Sequence, residues 1–144
     1  MRKRWRGGLA LLLAVLAGCT VPYEPLRVAS PSSLPEDAFD RCRNVLVARF
    51  GGVEHCDRQS FAMRTVWAPM PDLQVPGQQR AVVFEERGEI CILVQARYLS
   101  TSLFGPPSWS SPRPAAHLER QLGALLEAAL EQPDFEVVAE PPPQ

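Results

Sequence analysis

Arg80-Ala81-Val82-Val83-Phe84-Glu85-Glu86-Arg87-Gly88-Glu89-Ile90-Cys91-Ile92-Leu93-Val94-Gln95-Ala96-Arg97-Tyr98-Leu99 is the stretch that decides the fold. Two runs rich in β-branched and aromatic residues flank Arg87-Gly88, the pattern of a hairpin closed by a two-residue turn. Side chains alternate across a strand. Ile90, Ile92, Val94, Ala96 and Tyr98 therefore share one face of the second run. Cys91, Leu93, Gln95, Arg97 and Leu99 share the other. One face is richer in apolar residues, so the hairpin needs a layer packed against it.

Working back toward the N-terminus, Pro76-Gly77 is a turn signal in the loop 72–79. Phe61 to Trp67 alternates as a strand and is broken by Pro69 and Pro71. Val53 to Cys56 forms a short strand joined to it through Asp57-Arg58-Gln59-Ser60. Before these strands, Phe39, Cys42, Leu46 and Phe50 fall at helical spacing, with Val45 beside them. Ser33 and Glu36 have capping-box spacing, and Gly51-Gly52 ends the helix. After the hairpin, residues 100–114 are rich in Ser, Pro and Gly. Then Leu118, Leu122, Leu125 and Ala129 form a second apolar stripe, ended by Gln132-Pro133. Phe135 to Val138 reads as a last strand. The fold class is α+β, a two-layer sandwich with two helices on one face of a three- to five-stranded, mainly antiparallel sheet.

The N-terminus has a different grammar. Arg2, Lys3, Arg4 and Arg6 precede the apolar run Leu9 to Leu16, the charged and apolar regions of a secretory leader. The run is shorter than the roughly 20 residues a permanent membrane helix needs. Leu16-Ala17-Gly18-Cys19 then resembles the lipobox of bacterial lipoproteins. That resemblance implies cleavage after Gly18 by a peptidase that recognises Leu16, Ala17 and Gly18. It also implies a diacylglyceryl group on Cys19 as the contact with membrane lipid. Thr20, in place of Asp, implies the outer membrane facing the periplasm by the enteric pattern. Each buried acyl CH₂ contributes about 0.8 kcal/mol, so two or three chains hold nearly permanently.

The chain thus divides into a leader 1–18, a lipidated and Pro/Ser-rich tether 19–35, one domain 36–139 and a Pro-rich tail 140–144. Leu26-Arg27-Val28, inside the tether, has the composition of an edge strand. The whole chain has 15 basic and 16 acidic residues. Four of the basic ones lie in the leader and no acidic ones do, so the mature chain has 11 against 16, a net charge near −5. That balance, without a basic cluster, argues against a nucleic-acid partner.

The mature part also resembles small outer-membrane assembly lipoproteins. Ala38-Phe39 to Phe50-Gly51-Gly52, Asp57, Thr65-Val66-Trp67 and Leu118 to Leu130 follow the order of the C-component lipoprotein of the barrel-assembly machinery. The lipoprotein of the lipopolysaccharide translocon is similar in its two helices on a sheet. The Gly-Tyr pair that follows its lipidated Cys is missing here, although Tyr23 is close. Neither resemblance carries binding residues over.

Three thiols remain for chemistry. An exported domain meets an oxidising compartment, so Cys42 and Cys56 are a candidate disulfide, worth about 3 kcal/mol in the chain-entropy account. A pairing with Cys91, or three unbridged thiols, stand beside it. His55-Cys56-Asp57 has ligand-type residues, but neighbours on a strand diverge and no paired Cys-x₂-Cys spacing exists for zinc. Glu85 and Glu86 diverge likewise, and His117 has no partner placed by sequence. The expectation is therefore no metal, no cofactor and no catalytic residue. Phe104 and Trp109 either fold back to cap the core or contact a partner or lipid, since long irregular loops are often functional. The function expected is a non-enzymatic, membrane-anchored binding or scaffold module whose partner is another envelope protein. Its alternatives are a lipid or envelope-polymer binder using the exposed sheet face, and a thiol-dependent envelope enzyme.

Overall fold

The computed structural model describes residues 23–28, 34–70, 74–132 and 135. The leader, Cys19, Ser33 and the tail 140–144 lie outside them. Strands β5 (Gly77–Glu86) and β6 (Glu89–Ser100) are the long central hairpin. They pair antiparallel from Gly77 opposite Tyr98 to Glu86 opposite Glu89. Arg87 at φ 56° and Gly88 at φ 81° close it. Two successive positive φ values make a type I′ turn, whose twist matches that of the strands.

Strand β2 (Val53–Asp57) and strand β3 (Ala62–Thr65) continue the sheet beyond β5, and strand β1 (Leu26–Val28) lies on the other side of β6. The order is β1-β6-β5-β3-β2, all antiparallel, with β4 (Ala68–Pro69) on β5 and with β7 (Ser108–Trp109) and β8 (Arg113–Pro114) on β6. Helix α1 (Ala38–Phe50) lies against β2 and β3, helix α2 (Ala116–Glu131) against β1 and β6, and the helices touch each other. The two-layer α+β sandwich read from the sequence is the architecture observed. Leu46, Met63, Ile92, Val94 and Leu126 meet in the middle, each at most 1% exposed. Gly123 of α2 faces Leu26, where an added Cβ would come within 2.8 Å of that side chain. Its small size lets β1 seat against the helix.

Several boundaries differ from the sequence reading, each for a local reason. Helix α1 begins at Ala38, because the Ala38 N–H is taken by the Pro35 carbonyl in a preceding turn. Asp37 makes no side-chain cap, and its carboxylate accepts from Arg41 Nε at 2.8 Å instead. Arg41 also reaches α2, donating to the Leu130 carbonyl at 3.2 Å. Phe61 leaves the expected strand with φ 46°, and its ring meets Phe39 edge-on at 5.3 Å. Leu26–Val28 form the edge strand that their composition suggested, as β1, while Tyr23, expected in the free tether, is built into the domain through Glu119. The segment 100–114 is not an unpaired loop: β7 and β8 return along β6. Phe135, read as part of a last strand, is not in one; residues 136–138 lie outside the described range.

One polar group closes the edge of β6. Strand β1 ends its pairing at Ile92 and β8 begins at Gln95, which leaves Val94 in the gap. Its carbonyl accepts from Ala115 N–H at 2.8 Å, and its N–H donates to Glu119 Oε1 at 3.0 Å. Glu119 is only 3% exposed, and its other oxygen accepts from the Tyr23 hydroxyl. Burial and the Glu119 carboxylate push the Tyr23 phenol up to about 12.

Replacing Glu119 with Ala orphans the Val94 N–H and costs about 1–3 kcal/mol in urea unfolding, more than Glu119→Gln, which keeps an acceptor. The Tyr23 effect has a definite sign. A raised pKa favours the protonated phenol in the fold, so its stabilisation is complete below pH 10 and fades as pH rises toward 12. In a Tyr98→Phe background, ultraviolet titration places the Tyr23 midpoint near 12, and Glu119→Gln brings it down.

Candidate functional site

The helices cover one face of the sheet and leave the other open. Its composition follows from strand parity. The outward side chains of β5 are Gln78, Arg80, Val82 and Phe84; those of β6 are Cys91, Leu93, Gln95 and Arg97. Near the hairpin turn the face is apolar, with Phe84 opposite Cys91 and Val82 opposite Leu93. Arg27 lies alongside, ion-paired to Glu86 at 2.8 Å and Glu89 at 2.7 Å.

Toward the other end the face becomes a ladder of guanidinium and indole groups. Trp67 leaves β3 just before β4 and lies against Arg80 and Arg97, whose guanidinium carbons sit 4.6 and 4.1 Å from its ring centre. Arg97 also stacks on Trp109 at 4.9 Å. The arginines are held in the sheet by amides across the strand: Arg80 Nε donates to Gln95 Oε1 at 2.9 Å, and Arg97 Nη2 donates to Gln78 Oε1 at 2.6 Å. Glu54 takes Arg64 at 2.6 Å and approaches Arg80 at 3.8 Å. Each stacked cation–aromatic pair contributes about 0.5–1 kcal/mol at such part-exposed sites. The result is a cationic-aromatic surface whose arginines are held in place by cross-strand amides.

Beyond this ladder the β6–β7 hairpin projects as an arm. Leu99 pairs with Trp109 and Ser100 with Ser108, so residues 101–107 form its end. Every residue from 100 to 114 is exposed. Leu103 and Phe104 at the tip are 96% and 99% exposed. Phe104 therefore does not cap the core. Trp109, 39% exposed, packs on the open face instead.

The other residues singled out by sequence are scattered. Cys42 is fully buried in α1, where burial pushes its thiol up to about 12, while Cys56 is exposed on the edge strand β2. The two are not bridged, because Cys42 points into the core that the bridge would have to leave. Cys91 is also unbridged and buried, its thiol pushed up chiefly by burial. The Asp57 carboxylate closes its own turn, accepting from Gln59 N–H at 2.9 Å and Ser60 Oγ at 2.7 Å, which lowers its pKa. Glu85 accepts from Gly88 N–H at 2.7 Å, away from Glu86. His117 is exposed on the first turn of α2. Among the described residues, no three His, Cys, Asp or Glu side chains group as metal ligands. Leu16, Ala17, Gly18 and Cys19 lie outside the described residues. No protein-family model, curated protein or solved structure matches the chain.

The ladder was missed in the sequence although its parity was visible, since Trp67 joins it across a strand break. Glu119 left a clearer signal: an acid within one turn of Leu118 and Leu122 on an apolar stripe.

Under native conditions a thiol reagent should modify Cys56 within minutes. Cys42 and Cys91 should react only as the protein unfolds, as read by peptide mass mapping. A Cys42–Cys56 disulfide would instead protect both after denaturation without reductant.

Proposed function

We propose that this chain is a bacterial envelope lipoprotein, anchored through acylated Cys19, whose domain is a non-enzymatic module that binds another envelope protein through its open sheet face. The observation that carries the reading is that face. A stacked Trp67–Arg97–Trp109 array and the half-buried apolar residues Val82, Phe84 and Leu93 lie on the face that carries no helix. Aromatic and Arg side chains dominate protein interfaces, where pre-ordered groups lose little entropy on binding. The leader charge, apolar run and Leu16-Ala17-Gly18-Cys19 box support the anchor, and the net negative charge fits a partner other than nucleic acid. Among the described residues no helix is long and apolar enough to cross a membrane. The outer membrane is the destination favoured by Thr20.

Two measurements test this. Cells fed an alkyne fatty acid should label the native chain, and Cys19→Ala should abolish the label. A photo-reactive residue at Val82 should crosslink to one envelope protein in cells, the adduct should fall several-fold with Arg97→Ala, and the same residue at Arg120 on α2 should give none. Equal adducts from both faces would rule out the open face as the docking surface.

A further inference from the structure

We propose that the Leu103–Phe104 tip of the β6–β7 arm is a second membrane contact, inserted into the lipid surface to which Cys19 is attached; the inference rests on the anchor reading above. Strand direction is the first argument. Strand β1 runs antiparallel to β6, with Leu26 opposite Ile92 and Val28 opposite Ile90. Going upstream from Leu26 therefore means travelling along β6 toward its C-terminal end, which is where the arm projects. Tyr23 follows that direction, since its hydroxyl shares Glu119 with the N–H of Val94.

Chain length is the second. Three residues separate Tyr23 from Cys19. Four Cα steps span at most about 14 Å. From Val94 to Ser100 strand β6 runs roughly 20 Å, and the tip extends farther. A lipid surface held at Cys19 cannot stand off beyond the arm: upright on its anchor, the domain brings the tip to the surface or into it. Interfacial segments sit about 5–10 Å into the headgroup boundary, a depth this difference in reach allows.

Composition is the third. Residues 98–112 carry no charge, so insertion desolvates none. Pro106 and Pro107 have no N–H to leave unpaired, and the Phe104 N–H already donates to Ser102 Oγ at 3.2 Å. Tyr98 and Trp109, 40% and 39% exposed, stand lower on the arm, where aromatic side chains favour the headgroup level. Arg97, stacked under Trp109, follows behind them. The acidic residues Glu85, Glu86 and Glu89 lie at the opposite end of the same hairpin, away from the surface.

The test uses the lipidated full-length protein in vesicles of phosphatidylethanolamine and phosphatidylglycerol. Cys56→Ser removes the exposed thiol, and a polarity-sensitive dye is placed on Phe104→Cys or, as a control, on Arg87→Cys. The expected result is a blue-shifted emission at position 104, quenched several-fold more by shallow spin-labelled lipid than at position 87. Flotation of the vesicles reports the anchor separately. Protein that floats with equal, weak quenching at both positions overturns the tip contact and leaves the anchor standing. Protein that does not float overturns the anchor reading and the tip contact with it.

Discussion

The buried Glu119 carboxylate is the interaction on which the arrangement depends. A long central strand has two edges to satisfy, and β6 has β5 on one side along most of its length. On the other side it has three short pieces: β1, β8 and β7. Short pieces leave a gap, and a buried N–H in that gap would be costly. Glu119 fills it from α2. The same carboxylate holds Tyr23, so one residue joins the edge of the sheet, the closing helix and the first described residue of the chain.

Much of the fold was legible because the hairpin obeys two independent rules at once. Parity assigned Ile90, Ile92, Val94 and Ala96 to a single face, and all are buried. Arg87-Gly88 supplied the turn, and both residues adopt the left-handed conformation that a two-residue hairpin requires. The apolar stripes of both helices were equally plain. What failed were features decided by distant partners. Phe61 was counted into a strand, but packing on Phe39 holds it in a turn. Tyr23 reads as part of a Pro-rich tether, and its place in the domain depends on Glu119, 96 residues away. Short strands such as β7 and β8 have too few residues to show a period.

The candidate site divides along the same line. The outward-facing Gln95 and Arg97 were assigned correctly by alternation, whereas Trp67 reaches the face only because the chain bends between β3 and β4. The exposure of Phe104 was an open alternative in the sequence, because an aromatic residue between Pro and Ser residues is compatible with capping a core or leaving it. The surface therefore has polarity along the hairpin: a charged turn at one end, then an apolar patch, the stacked ladder and the uncharged arm.

The far edge of the sheet is built differently from the one that Glu119 seals. Strand β2 pairs with β3 on one side and with no strand on its outer side among the described residues, and its register against β3 slips between Val53 and His55 at Glu54. A kink of this kind, beside acidic side chains, spoils the straight row of hydrogen-bonding groups that another strand would need. An irregular border, with charged side chains along it, acts as a brake on strand-by-strand polymerisation between copies of the chain.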